Sequence, residues 1–292
     1  MQNYIVLDEE RDLKLQTFLH QKVGGSLSLR EIKRLLEENR CRVNGRVERF
    51  ASRRLLGRER IEFNHNDRAS DGEAHLLFED DDLLILSKPA GWLTEGERSA
   101  TSFARGLTPS ASPVHRLDKG TSGLLLFAKN PSVLKLLEDL FRERRVMKRY
   151  LAVVHGRPHG KKGVVDNVLE VSGRPSGQTR FAKSLSNEGK RARTRWEVVA
   201  YGEGVSVVAC YPETGRTHQI RVHLASLGAP IVGDTQYGGR LHTRITAPYP
   251  LLHAHKLEFE HPRTKAIVAV ESEVPPAIGK YLQRAETIQP PP

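Results

Sequence analysis

His115-Arg116-Leu117-Asp118-Lys119-Gly120-Thr121-Ser122-Gly123 runs directly into Leu124-Leu125-Leu126-Phe127-Ala128-Lys129. A carboxylate stands beside an arginine in a turn rich in Gly, Thr and Ser, and an uninterrupted apolar stretch follows. Such a stretch reads as a buried strand. Loops carried on rigid strands are where reactive groups are usually displayed. The plainer alternative is that Asp118 accepts backbone N–H groups within its own turn, an Asx-type role. Spacing alone leaves both readings open.

Working outward, further apolar runs alternate with turn residues: Leu83-Leu84-Ile85-Leu86 upstream and Val205-Ser206-Val207-Val208 downstream. They predict a mixed or antiparallel sheet. Helical stretches interrupt it at 132–144 and at 218–227, the latter closed by Gly228 at a C′ position. Thr217 is the expected N-cap of that second helix. Together these elements make an α+β domain over residues 75–284. A tail over 285–292, ending in Pro290-Pro291-Pro292, is expected to be disordered. Residues 64–74 are polar and read as a linker.

Residues 1–70 form a separate module. Leu15, Phe18, Leu19 and Val23 recur at helical spacing. Ser28 precedes Glu31 by three residues, a capping-box pattern that opens a second helix. There Leu29, Ile32, Leu35 and Leu36 share one face, while Arg30, Lys33 and Arg34 lie away from it. Asn44-Gly45, between alternating residues, is a strong signal for a type I′ hairpin, which needs positive φ at both centres. Arg46 follows on the return strand.

The 292 residues carry a formal net charge of +11, which favours a polyanionic partner. Seven of the basic residues cluster between positions 174 and 195 (Arg174, Arg180, Lys183, Lys190, Arg191, Arg193, Arg195) against the single acid Glu188. Such clustering suits phosphates better than a mixed surface does. Two cysteines, Cys41 and Cys210, point to a reducing compartment rather than a disulfide framework. The opening MQNYIVLDEERDLK lacks the apolar core of a secretory signal, and no stretch is apolar enough for a membrane span. The cytoplasm is the expected location. No nucleotide-binding fingerprint is present. His218, His223, His253 and His255 lack a cysteine partner and read as structural, so no metal or other cofactor is expected.

His-Arg-Leu-Asp-x-x-Thr-Ser-Gly resembles the signature of the RluA-type family of pseudouridine synthases. Four more stretches resemble that family's blocks in the same order: Lys88-Pro89-Ala90-Gly91; Lys148 to Gly156 around Tyr150; Thr214 to Leu224 followed by Gly228-x-Pro230-Ile231-x-Gly233-Asp234-x-x-Tyr237-Gly238; and Leu252-His253-Ala254 through His261-Pro262. Residues 12–63 resemble the S4 family of RNA-binding domains. The fold class implied is α+β: a small S4-like domain, then a catalytic domain on a mixed, mainly antiparallel sheet with flanking helices. The sequence departs from the family pattern in two places. Trp92-Leu93-Thr94-Glu95-Gly96 occupies a place where relatives often carry a small apolar residue and then histidine, and the stretch from Trp92 to Val114 is short.

The resemblance implies that Asp118 is the catalytic carboxylate acting at C1′ of a target uridine. Tyr150 stacks on the base and helps the final deprotonation at C5, and Arg221 pairs with Asp118. Arg216 is the alternative for that pairing. Arg116 fills the gap left by the extruded nucleotide, and Leu252 packs on the base. Lys88 and His115 are also expected at the substrate. Arg30, Lys33, Arg34 and Arg46 are expected to contact RNA backbone. A glycosidase generally needs two carboxylates, whereas an isomerase that keeps its uracil bound needs only one, so release of free uracil is disfavoured. A binding-only protein has no need of the set Asp118, Tyr150 and Arg221. An S4-like module ahead of the catalytic domain points to large-subunit ribosomal RNA, with transfer RNA as the alternative. A monomer is expected.

Overall fold

The computed structural model describes residues 2–25, 27–37, 39–64, 73–97, 99–173, 179–184, 188–238, 245, 247–283 and 286–287. The chain separates into two compact units, Met1–Ala69 and Ser70–Pro292.

In the first unit, strands β1 (Gln2–Ile5), β2 (Cys41–Val43), β3 (Arg46–Val47) and β4 (Arg60–Phe63) form an antiparallel sheet in the order β1-β4-β2-β3. Helices α1 (Leu15–Lys22) and α2 (Leu29–Glu37) complete it. Leu15, Phe18 and Leu19 of α1 are buried with Ile32, Leu35 and Leu36 of α2, against Cys41, Ile61 and Phe63. Leu29 was expected on that face, but it is 45% exposed, because the first helical residue projects beyond the packed turn. The capping box forms: Ser28 Oγ accepts the Glu31 N–H, and Glu31 Oε2 accepts the Ser28 N–H. The hairpin turns on Asn44 (φ 51°) and Gly45 (φ 78°), both left-handed as a type I′ turn requires. Arg30, Lys33 and Arg46 are exposed, and the Arg34 side chain lies outside the described residues.

The second unit is built on strands β5 (His75–Glu79), β6 (Leu83–Lys88), β7 (Ser112–Pro113), β8 (Ser122–Ala128), β9 (Met147–His155), β10 (Lys162–Gly173), β11 (Arg180–Lys183), β12 (Lys190–Gly202), β13 (Val205–Pro212), β14 (Leu252–Glu260), β15 (Ile267–Glu271) and β16 (Glu286–Thr287). Helices α3 (Ala100–Leu107), α4 (Pro131–Arg142), α5 (Gln219–Ser226) and α6 (Pro276–Gln283) flank them. The strands join one twelve-stranded sheet with the path β11-β10-β12-β13-β9-β14-β8-β6-β5. Pairings between these strands are antiparallel except β14 with β8, through His253↔Ser122 and Ala254↔Gly123. The expected mixed, mainly antiparallel architecture is therefore present.

Two hydrophobic clusters lie along this sheet. One gathers β6, β8, α3 and α4 with the outer part of β14, and the other gathers β9, β12, β13, α5 and α6. Tyr150 packs against both. They meet along β14, whose start at Leu252 packs with the second cluster and whose outer part packs with the first, and the β8–β14 pairing at this seam requires a glycine. Gly123 has φ +107°, and a Cβ there would lie 2.2 Å from the Ala254 carbonyl oxygen.

Local signals explain some ends and miss others. Helix α4 is capped by Asn130, whose side chain accepts the Val133 N–H, with Pro131 in the first turn. The helix starts at Pro131, one residue before the expected 132, because Asn130 supplies the cap. Helix α5 is not capped by Thr217: its N-cap is His218, in the left-handed region at φ 58°. Glu286–Thr287 pair with β12 instead of continuing a disordered tail, while 288–292 lie outside the described residues. So does most of the expected linker, 65–72.

The basic run is also less free than its local count suggests. Arg174 lies outside the described residues. Arg191 and Arg193 both pair with Asp166 on the neighbouring strand, and Arg193 and Arg195 reach Glu213. The acids that pair with it lie outside the run and are brought alongside by the fold.

Candidate active site

The seam opens into a cavity of about 360 Å³. Its walls come from residues 114–118 ahead of β8, the end of α4, β9, the β13–α5 turn and the start of β14. Asp118, Tyr150, Arg221, Arg116, Arg216, His115 and Leu252 all line it. Residues more than a hundred positions apart are thus brought to one place by the β9-β14-β8 order.

Asp118 sits in a braced loop. Its backbone oxygen, not its side chain, accepts the Thr121 N–H. Thr94 straddles the preceding residue: its hydroxyl donates to the Leu117 carbonyl at 2.9 Å and accepts the Leu117 N–H at 3.1 Å. The segment that departs from the family pattern therefore supports the loop. Gly91 N–H donates to the Lys119 carbonyl. The Asp118 carboxylate is left to face the cavity, where Arg221 Nη1 donates to Oδ2 at 3.3 Å. The Asx-type alternative is not what the loop adopts.

Arg221 is held more firmly from behind. Its Nε donates to Asp234 Oδ2 at 2.6 Å and its Nη2 to Asp234 Oδ1 at 3.0 Å, with a further bond to Gln236 Oε1 at 3.1 Å. Asp234 is fully buried at its side chain, and the backbone N–H groups of Gln236 and Tyr237 also donate to it. This fork fixes the guanidinium plane and leaves Nη1 aimed at Asp118. Asp234 falls within the Gly228–Gly238 stretch, whose pattern alone assigns it no role. Gly233 makes the turn possible at φ +82°, where a Cβ would strike the Tyr249 carbonyl oxygen.

Several expectations need correcting. Lys88 is fully buried and does not line the cavity. Its ammonium donates to the carbonyls of Pro89, Trp92 and Lys119 at 3.1, 2.8 and 3.4 Å, so it ties strand β6 to the Asp118 loop instead of touching substrate. Burial pushes it down to about 7, against the pull of Asp118. His115 contributes a wall but no hydrogen-bonding group: its Nε2 accepts the Leu126 N–H, its ring stacks on Phe141, and burial pushes it down to about 3. Arg216 lines the cavity, but its Nε donates to the Arg191 carbonyl, and Arg221 takes the pairing with Asp118. Burial, helped by the Asp118 charge, raises the Tyr150 phenol well above its ordinary value. Lys148, unassigned from sequence, also lines the cavity, and burial lowers it to about 8.

The histidines prove unequal. His253 Nδ1 meets Ser122 Oγ, His223 lies between Thr194 and Asn167, and His255 Nδ1 meets the Ser272 carbonyl. His218 does not share their structural role. It lines the cavity with Nε2 3.8 Å from Asp118 Oδ2.

The family described as RNA pseudouridylate synthase matches residues 82–226, the stretch that carries Asp118, Tyr150 and Arg221. An RNA pseudouridine synthase of Zymomonas mobilis is 41% identical over 212 residues, covering 69% of this chain and 94% of the relative. The chain belongs to the RluA-type family of RNA pseudouridine synthases. A second relative of the synthase, ribosomal large subunit pseudouridine synthase C of Haemophilus ducreyi, is 34% identical and covers 90% of this chain and 89% of its own length. The solved structure of human RNA pseudouridylate synthase domain containing 1 matches with a TM-score of 0.62 at 26% identity, over 77% of this chain and 94% of that one. The synthase is therefore an isomerase acting on RNA. Among its described residues no helix is long and apolar enough to cross a membrane.

Proposed function

We propose that the synthase converts a uridine of large-subunit ribosomal RNA to pseudouridine, with Asp118 as its catalytic carboxylate. The observation that carries this reading is the Asp118–Arg221 contact inside a cavity walled by Tyr150 and Leu252. The target nucleotide is extruded from its stack into that cavity, and the exposed Arg116 at the rim fills the space it leaves. The C1′–N1 bond then breaks, and its electron pair stays with the uracil. C1′ either takes a carboxylate oxygen of Asp118 or is relieved by transfer of the C2′ proton to that oxygen. The base turns and C5 bonds to C1′ with a pair from the ring, which frees Asp118 or returns the C2′ proton. The C5 hydrogen leaves as a proton and N1 gains one.

Tyr150 supports the base by stacking. Its raised pKa keeps the phenol protonated at neutral pH, so the regenerated carboxylate is the better acceptor for the C5 proton. Leu252, in the cavity wall, packs against the base. The first unit adds an S4-like RNA grip through Arg30, Lys33 and Arg46. The name of the Haemophilus relative supports a ribosomal target.

The test is pseudouridine formation on transcribed large-subunit ribosomal RNA and on unmodified transfer RNA. Asp118→Asn keeps the shape of the side chain and removes its charge. It is expected to abolish conversion while RNA binding persists. Conversion by that variant sinks the catalytic reading, and modification of transfer RNA alone sinks the ribosomal one.

A further inference from the structure

His218 holds a backbone conformation that costs about 1–2 kcal/mol for a residue with a Cβ. That conformation turns its ring into the cavity instead of along the helix. The ring's hydrogen bonds define its tautomer. The Phe181 N–H donates to the Tyr237 hydroxyl oxygen at 3.0 Å, and that hydroxyl lies 2.8 Å from His218 Nδ1. Tyr237 is buried, so its own proton needs an acceptor, and Nδ1 is the one at hand. Nδ1 is therefore unprotonated, and the imidazole hydrogen sits on Nε2. Burial lowers the pKa of His218 against the pull of Asp118, which favours the neutral ring. Among the described residues this N–H meets no acceptor within hydrogen-bond distance: Asp118 Oδ2 is 3.8 Å away.

We propose that His218 is a further catalytic residue, donating a hydrogen bond from Nε2 to the uracil oxygen next to N1 as the glycosidic bond breaks. This rests on the assignment of Asp118 to C1′. A base whose sugar carbon lies at Asp118 carries that oxygen three bonds further on, through N1 and C2, and Nε2 lies 3.8 Å from the Asp118 carboxylate. Both routes at C1′ leave the bond pair on the uracil, spread from N1 onto its carbonyl oxygens, so the proposal does not depend on which is followed. Arg221 is poorly placed for this duty, because Nε and Nη2 are committed to Asp234 and Gln236 and Nη1 to Asp118. No proton is transferred to the base. A fixed donor aimed at developing charge is the arrangement that stabilises oxyanions in other enzymes.

His218→Gly is the variant of choice, since glycine adopts the left-handed backbone freely and leaves space for a small imidazole. Single-turnover conversion by the full chain is expected to fall about 10²-fold, the usual loss of one such donor, with RNA affinity unchanged. Added imidazole restores much of that rate, because it can accept from Tyr237 and donate to the base. N-methylimidazole does not restore it, because it can accept but not donate. A wild-type rate in His218→Gly, a loss that imidazole leaves unrestored, or equal rescue by N-methylimidazole overturns the proposal. Should the glycine variant fail to fold, Tyr237→Phe removes the proton that fixes the tautomer. It is expected to slow conversion without weakening binding, and a wild-type rate there overturns the proposal as well. Asp118→Asn is run beside them and stays inactive with imidazole. Activity in that variant would instead defeat the Asp118 assignment.

Discussion

Asp234→Asn removes one charge from behind the active site and leaves the shape of the side chain almost intact. In the native protein Asp234 accepts two bonds from Arg221, at 2.6 and 3.0 Å, and two from loop amides, at 3.0 and 3.1 Å. Asparagine can keep Oδ1 on the amides, but its NH₂ group then faces the guanidinium, donor against donor. Breaking a buried ion pair by removing one partner costs about 3–5 kcal/mol. Arg221 retains Asp118 and Gln236, which places the loss near the lower end, at about 3 kcal/mol. For a unit of this size each kcal/mol shifts Tm by about 2–4 °C, so a fall of about 6–12 °C is expected by calorimetry. The effect on chemistry is separable. Without its rear anchor the guanidinium rotates toward Asp118, and a misplacement of about 1 Å typically costs about 10²-fold in rate. Release of tritium from RNA labelled at uracil C5 measures that rate at a temperature where the variant remains folded. A Tm within about 2 °C of wild type together with an unchanged rate would refute the claim that Asp234 positions Arg221.

Three other outcomes follow from the same structure. Lys88 binds its proton up to about 10.5 when unfolded but only to about 7 when folded, so the unfolded chain holds more protons between those values and stability rises with pH across that window. In Lys88→Met that rise, followed as Tm between neutral and alkaline pH, should disappear; persistence of the full slope excludes Lys88 as its source. Gly123→Ala forces a Cβ into the Ala254 backbone at a left-handed φ, and should cost at least about 2 kcal/mol in thermal unfolding. A variant of native stability would mean that β8 and β14 can separate without penalty. If Arg30, Lys33 and Arg46 each meet a phosphate, replacing all three by alanine should flatten the slope of log affinity against log salt by about 2–3. An unchanged slope would assign them no phosphate contact.

What could be read from the sequence was whatever is encoded locally. Asn44-Gly45 and Ser28-Glu31 are short-range devices, and both formed. The apolar runs at 83–86 and 124–127 became central strands because β-rich stretches of that length have few alternatives. Asp118, Tyr150 and Arg221 were legible through motif order and converge on one cavity. What stayed hidden depends on burial or on distant partners. The Lys88 ammonium is consumed by three carbonyls, which no pattern of side chains announces. The αL start of α5 runs against local preference, since Thr217 is the better cap by type and His218 the poorer one. Asp234 acquires its role only once the Gly233 turn delivers it beneath Arg221.

The position of β14 has a consequence for how the molecule is made. It lies between β9 and β8, yet its residues come more than a hundred positions after β8 in the chain. Ribosomal synthesis therefore releases both neighbouring strands long before the strand that joins them. Until residues 252–254 emerge, Leu252 is missing from the cavity and β8, which follows the Asp118 loop, has no partner linking it to β9. Closure over so long a loop is slow compared with forming local hairpins. The strand that completes the sheet is thus also the one that completes the wall of the cavity.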